Sequence, residues 1–135
     1  MMSATLVDSN VLLDLVTNDP VWADWSIGQL DAASLKGALA INDVIYAELS
    51  VRFETVEALD ALLDRAGIVI RPMPRAALFL AAKVFLRYRS AGGVRTGVLP
   101  DFFIGAHAAV SRLTLLTRDI QRYRTYFPTI ELVTP

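Results

Sequence analysis

Short apolar runs alternate along this chain with longer stretches of mixed polarity. Ala4-Thr5-Leu6-Val7 is apolar and bounded by Asp8-Ser9-Asn10, which predicts a buried strand running into a helix start. A helix from about Asn10 to Val16 stops at Asn18-Asp19-Pro20. Pro20 suits the first turn of a second helix, which carries Trp22, Trp25 and Leu30 and ends at Gly37. Ala38-Leu39-Ala40-Ile41 predicts a second strand, and Asn42 then caps a helix holding Val44, Ile45, Glu48 and Leu49. A further helix from Thr55 to Ala66 stops at Gly67, and Ile68-Val69-Ile70 reads as a third strand.

Past Pro72 and Pro74 a long apolar helix spans Arg75 to Tyr88, and the segment from Ser90 to Gly97 is loop by composition. Leu99-Pro100-Asp101 opens a helix through Arg112. Leu113-Thr114-Leu115-Leu116 makes a fourth strand, Asp119 to Tyr126 a last helix, and Ile130-Glu131-Leu132-Val133 a closing strand. Short apolar strands alternating with helices predict an α/β fold: a central parallel sheet of about five strands with helices on both faces.

Composition narrows the class. At 135 residues and 54% hydrophobic content, the chain reads as one folded domain spanning 1–135. The absence of cysteine excludes a disulfide framework, a thiol nucleophile and thiolate metal sites, and it fits a reducing cytoplasm. No basic segment precedes an apolar run at the start, and no apolar stretch approaches membrane-spanning length, so a soluble cytoplasmic protein is expected. Net charge is near zero, but its distribution is lopsided. Met1 to Gly67 holds eleven acids and three bases, Ile68 to Pro135 three acids and ten bases. This points to an anionic partner for the second half, unless the halves interleave in space.

The chemistry-bearing candidates are carboxylates. In open parallel sheets ligands bind beyond the carboxyl ends of the strands. Asp8 follows the first strand and Asp119 the fourth, Glu48 lies in the helix after the second strand, and Asp101 begins the helix leading into the fourth. Each has a local alternative. Asp8 or Asp119 could cap a helix, Glu48 could pair with Arg52, and Asp101 could complement a helix dipole. Together they pose an electrostatic problem, since carboxylates about 4 Å apart repel by roughly 4 kcal/mol per pair at an effective dielectric of about 20. Hard divalent cations such as Mg²⁺ or Mn²⁺ offset such repulsion and support hydrolysis at phosphorus. The single histidine, His107, excludes a paired-histidine ribonuclease mechanism and reads as a packing residue. Gly105, Ala106, Ala108 and Ala109 read as small residues that permit close helix packing.

Val7-Asp8-Ser9-Asn10, Val44-Ile45-Tyr46-Ala47-Glu48-Leu49 and Leu115-Leu116-Thr117-Arg118-Asp119 resemble the signatures of PIN domains. Gly92-Gly93-Val94-Arg95, the run from Leu99 to Ala108, and Tyr123-Arg124-Thr125-Tyr126-Phe127-Pro128 resemble a subgroup of VapC toxins from VapBC toxin–antitoxin pairs. The resemblance covers almost the whole chain. It implies a PIN-like fold, a Mg²⁺ or Mn²⁺ site, endonucleolytic cleavage of structured RNA such as transfer or ribosomal RNA, a VapB-like antitoxin and a homodimer. By position it assigns the metal cluster and catalysis to Asp8, Glu48, Asp101 and Asp119, with supporting hydrogen bonds from Asn10 and Thr117. Arg95 and Arg118 lie where they could reach RNA phosphate or pair with the acids. Trp22 and Trp25 fit either core or a groove for an antitoxin helix, and Tyr123 and Tyr126 read as core before base-stacking platforms.

Two other functions fit parts of this pattern. A haloacid-dehalogenase-like phosphatase also places an aspartate after its first strand, but needs an acid where this chain has Asn10, and Lys36 and Lys83 are the only lysines. A non-catalytic RNA-binding PIN domain would not need all four acids.

Overall fold

Among the described residues five strands form one sheet: β1 (Thr5–Val7), β2 (Leu39–Ile41), β3 (Ile68–Ile70), β4 (Thr114–Leu116) and β5 (Leu132–Val133). Their order is β3-β2-β1-β4-β5, and every neighbouring pair is parallel. The structure is a computed structural model and describes residues 4–94 and 98–135. Every residue of β1 and β2 is buried. Successive side chains of a strand point to opposite faces, so the centre of the sheet is covered on both sides. At the β3 edge Val69 and Ile70 stay exposed.

Seven helices lie among the described residues: α1 (Ser9–Val16), α2 (Ala23–Lys36), α3 (Asp43–Ser50), α4 (Val56–Ala66), α5 (Arg75–Ser90), α6 (Leu99–Ser111) and α7 (Gln121–Tyr126). This is the α/β architecture that the alternating pattern predicts. Local chemistry sets most helix ends. Asn42 accepts the Ile45 N–H and Thr55 the Ala58 N–H, while Gly67 closes α4 in the left-handed conformation at φ 70.

Two helix starts differ from expectation. Pro20 is not in the first turn of α2: the Asp19 carboxylate takes the N–H groups of Val21 and Trp22, which holds a turn there, and α2 begins at Ala23. The last helix begins at Gln121 rather than Asp119, because the Thr117 hydroxyl accepts the Asp119 N–H and ties residues 117–119 into a turn. Among the described residues no helix is long and apolar enough to cross a membrane.

The strand order fixes where a site can form. β1 is flanked by β2 on one side and β4 on the other, and the chain leaves it in opposite senses to reach them. Such a switch point opens a crevice beyond the strand ends. Register places Val7 beside Leu116, so Asp8 and Thr117 emerge side by side. The charge-rich halves of the sequence therefore interleave, with β1 from the acidic half paired to β4 from the basic half.

Candidate functional site

Asp8 occupies the crevice, and its two carboxylate oxygens have unequal surroundings. Oδ1 accepts the Ser9 N–H at 2.8 Å, so Asp8 also caps α1. Oδ2 accepts from the Thr117 hydroxyl at 2.8 Å, the Tyr123 hydroxyl at 3.2 Å and the Asn10 amide at 3.5 Å. Asn10 also donates to Thr117 Oγ1 and accepts the Arg118 N–H, which joins the start of α1 to the end of β4. Capping and site geometry are thus both served by one side chain.

Glu48 and Asp101 approach the same crevice. Glu48 comes from the second turn of α3 and accepts the Ser9 hydroxyl at 3.0 Å; it forms no ion pair with Arg52. Asp101, in the first turn of α6, receives the Tyr123 hydroxyl on Oδ1 at 3.4 Å. Burial pushes the Asp8 carboxyl up to about 6, Asp101 and Glu48 add to the rise, and the hydrogen bonds from Thr117 and Ser9 oppose it. Glu48 is raised by burial and by Asp101, against the Ser9 bond. Tyr123 is fully buried and held well above its usual range by burial, by Asp8 and Asp101, and by Asp119. It is therefore a hydroxyl donor throughout the working pH range.

Three of the four acids named from the sequence, Asp8, Glu48 and Asp101, thus share one electrostatic field. Asp119 lies at its rim and is felt by Tyr123. Among the described residues no group of three acids or histidines already converges closely enough to hold a metal ion. The donor set nonetheless has the chemistry of a hard-cation site: carboxylate and hydroxyl oxygens, no sulfur, and neighbouring acids whose charges raise the pKa of Asp8 and Glu48.

Arg118 turns away from this cluster. Its Nε and Nη2 bond Asp14 Oδ2 and Oδ1, both at 2.9 Å, and its guanidinium lies over the Trp22 ring at 5.0 Å. Asp14 is buried and also accepts the Ser26 hydroxyl at 2.7 Å. Sequence reasoning passed over Asp14, although an acid inside the apolar run Val11-Leu12-Leu13-Asp14-Leu15 was the available signal. Arg95, the other arginine named for phosphate contact, lies outside the described residues. His107 is buried and shares a hydrogen bond with Asn42 at 3.1 Å, and burial and Arg71 lower its pKa against the opposing charge of Asp43. That bond ties the cap of α3 to α6, the two helices that carry Glu48 and Asp101.

Beside Glu48 opens a mostly apolar groove of about 360 Å³, lined by Val44 and Ala47 of α3 and by Leu99, Pro100 and Phe103 of α6. It was not foreseen, because its walls come from helices far apart in sequence. Trp22 and Trp25 are half-buried and meet edge to face at 6.0 Å. Trp25 packs on the core.

The family model described as PIN domain matches residues 5–128. No curated protein sequence matches the chain. Among solved structures, a chain of VapBC2 from Rickettsia felis, bound to a DNA fragment from its promoter, aligns with a TM-score of 0.76 at 19% identity, covering 98% of both chains. A chain of a toxin–antitoxin complex from Klebsiella pneumoniae gives 0.69 at 23% identity over 97% of each. A chain of FitAcB from Neisseria gonorrhoeae gives 0.67 at 18% identity over 95% of each. At these identities the likeness is one of fold.

Proposed function

Since this chain belongs to the PIN-domain family, we propose that it is the toxin of a VapBC-type toxin–antitoxin module, a Mg²⁺- or Mn²⁺-dependent endoribonuclease acting on structured RNA of the transfer or ribosomal class in the cytoplasm. The observation that carries this reading is the shared field of Asp8, Glu48 and Asp101 at the switch point of the sheet, where Glu48 and Asp101 make ionisation of Asp8 costlier and Asp101 does the same to Glu48. The solved relatives named above as VapBC and toxin–antitoxin complexes support the same assignment.

Asp8, Glu48 and Asp101, with Asp119 at the rim, would hold the cation. When bound, such an ion supplies an activated water and neutralises charge at the scissile phosphate. The protein's part is to fix the acids. Thr117 and Asn10 orient Asp8, and Ser9 orients Glu48. With His107 buried against Asn42, no imidazole is placed to activate the ribose 2′-hydroxyl.

The antitoxin would lay an apolar segment in the groove beside Glu48 and bring a basic group to the acids, which would displace the cation by charge competition. This groove suits the role better than the tryptophan pair, because Trp22 is already covered by Arg118. A homodimer belongs to the same reading, and the exposed Leu78, Phe79 and Leu86 of α5 offer an apolar face for it. Incubation of purified chain with total RNA tests the function: cleavage should require Mg²⁺ or Mn²⁺ and stop with chelator. Cleavage undiminished in chelator would refute it.

A further inference from the structure

The Tyr123 ring is wholly buried on α7 and belongs to the hydrophobic core. Burying a hydroxyl costs free energy unless it finds partners. Here its partners are Asp8 Oδ2 at 3.2 Å and Asp101 Oδ1 at 3.4 Å. Both distances exceed the usual O–H···O length of about 2.7–2.8 Å. One proton cannot serve two acceptors at full strength, and Asp8 Oδ2 is already held closely by Thr117. The hydroxyl therefore sits between two carboxylates that come from β1 and from α6.

We infer that Tyr123 is a positioning residue that sets the spacing of Asp8 and Asp101 for cation binding, by donating one hydroxyl between them. The inference rests on the proposed metal-dependent reading. Its geometry explains the unequal surroundings of Asp8. Among the described residues three donors face Oδ2 and only the Ser9 N–H reaches Oδ1, so Oδ1 is the oxygen with lone-pair capacity left for a cation. Asp101 is presented by a helix that packs closely on the α7 end: a Cβ at Gly105 of α6 would run into the Phe127 ring. The hydroxyl thus links the cation site to the docking of the C-terminal segment.

Outer partners of metal-binding carboxylates tune affinity by about 10–100-fold. Calorimetric titration of the purified chain with Mn²⁺ should show Tyr123→Phe binding at least about tenfold more weakly than wild type. Tyr46→Phe, which loses an exposed hydroxyl bond to Asp60, should bind as wild type does. In RNA cleavage the Tyr123→Phe defect should appear as a higher Mn²⁺ requirement and shrink at saturating Mn²⁺. A merely structural role would lower thermal stability and leave Mn²⁺ affinity alone. Should Tyr123→Phe not fold, the chain labelled with 3-fluorotyrosine decides by ¹⁹F resonance, its signals assigned from Tyr→Phe changes at 46, 88 and 126. The Tyr123 signal should move on addition of Mg²⁺. Wild-type affinity in folded Tyr123→Phe, or an unmoved Tyr123 signal while Mg²⁺ binds, overturns the inference alone. Failure of the wild type to bind either ion overturns the metal-dependent reading and this inference with it.

Discussion

Arg118 and Asp14 meet in a two-pronged ion pair, Nε to Oδ2 and Nη2 to Oδ1, each 2.9 Å long. The pair clamps the turn after β4 onto α1, and Ser26 extends it to α2. Lysine cannot reproduce the fork. Arg118→Lys should therefore lower stability by about 1–3 kcal/mol, seen as an earlier thermal transition. If the guanidinium serves this clamp, the KM for RNA should stay within about twofold of wild type, while a phosphate contact would raise KM and flatten its salt dependence.

Asp8 makes stability depend on pH. Its carboxyl titrates near 6 in the folded chain against 3.8 ordinarily, so the folded state binds its proton more tightly than the unfolded one. The stabilisation is complete below about pH 4 and lost as pH rises through 6, a difference of about 3 kcal/mol for a shift of this size. In chelator, the wild type should melt at a higher temperature at pH 4.5 than at pH 7.5. Asp8→Asn should flatten that slope and abolish RNA cleavage while still folding. A growth-arresting, well-expressed Asp8→Asn variant would contradict the assigned role.

Cleavage ends report the nucleophile. Attack by water leaves a 5′-phosphate and a 3′-hydroxyl, whereas attack by the ribose 2′-hydroxyl leaves a 2′,3′-cyclic phosphate. The first pair is expected, and sequencing libraries that require a 5′-phosphate for ligation will distinguish them. A cyclic phosphate would rule out the water mechanism.

Gly105 of α6 lies against the Phe127 ring, which an added Cβ would run into. Gly105→Ala has to displace a buried ring, and overpacking of this kind costs about 1–3 kcal/mol. Because α6 also presents Asp101, the variant should lose RNA cleavage as well as thermal stability. Unchanged melting would mean that the helix can shift freely at this contact.

Phe103→Ser removes an apolar wall of the groove beside Glu48 without touching any of the acids. Antitoxin affinity should fall at least about tenfold, as expected for an aromatic anchor worth more than 1 kcal/mol, while cleavage of RNA by the free chain persists. Equal affinity for both proteins, by calorimetry, would place the antitoxin elsewhere.

Local patterning along the chain already specifies the order of strands and helices and most of their ends. These rest on interactions between near neighbours: Asn42 with Ile45, Thr55 with Ala58, Gly67 at the end of its own helix. It also put Asp8, Glu48, Asp101 and Asp119 on segments that a parallel sheet sends to one edge. Packing sets which of these groups act on one another. Pairing of β1 with β4 sets Thr117 against Asp8, a contact no spacing rule contains. The same pairing turns Arg118 onto Asp14, delays the start of α7, and aims the Tyr123 hydroxyl between two acids. The physical reason is that caps and turns depend on a few adjacent dihedrals. The charge field and hydrogen bonds of a site depend instead on distances of a few ångströms between segments that only packing brings together.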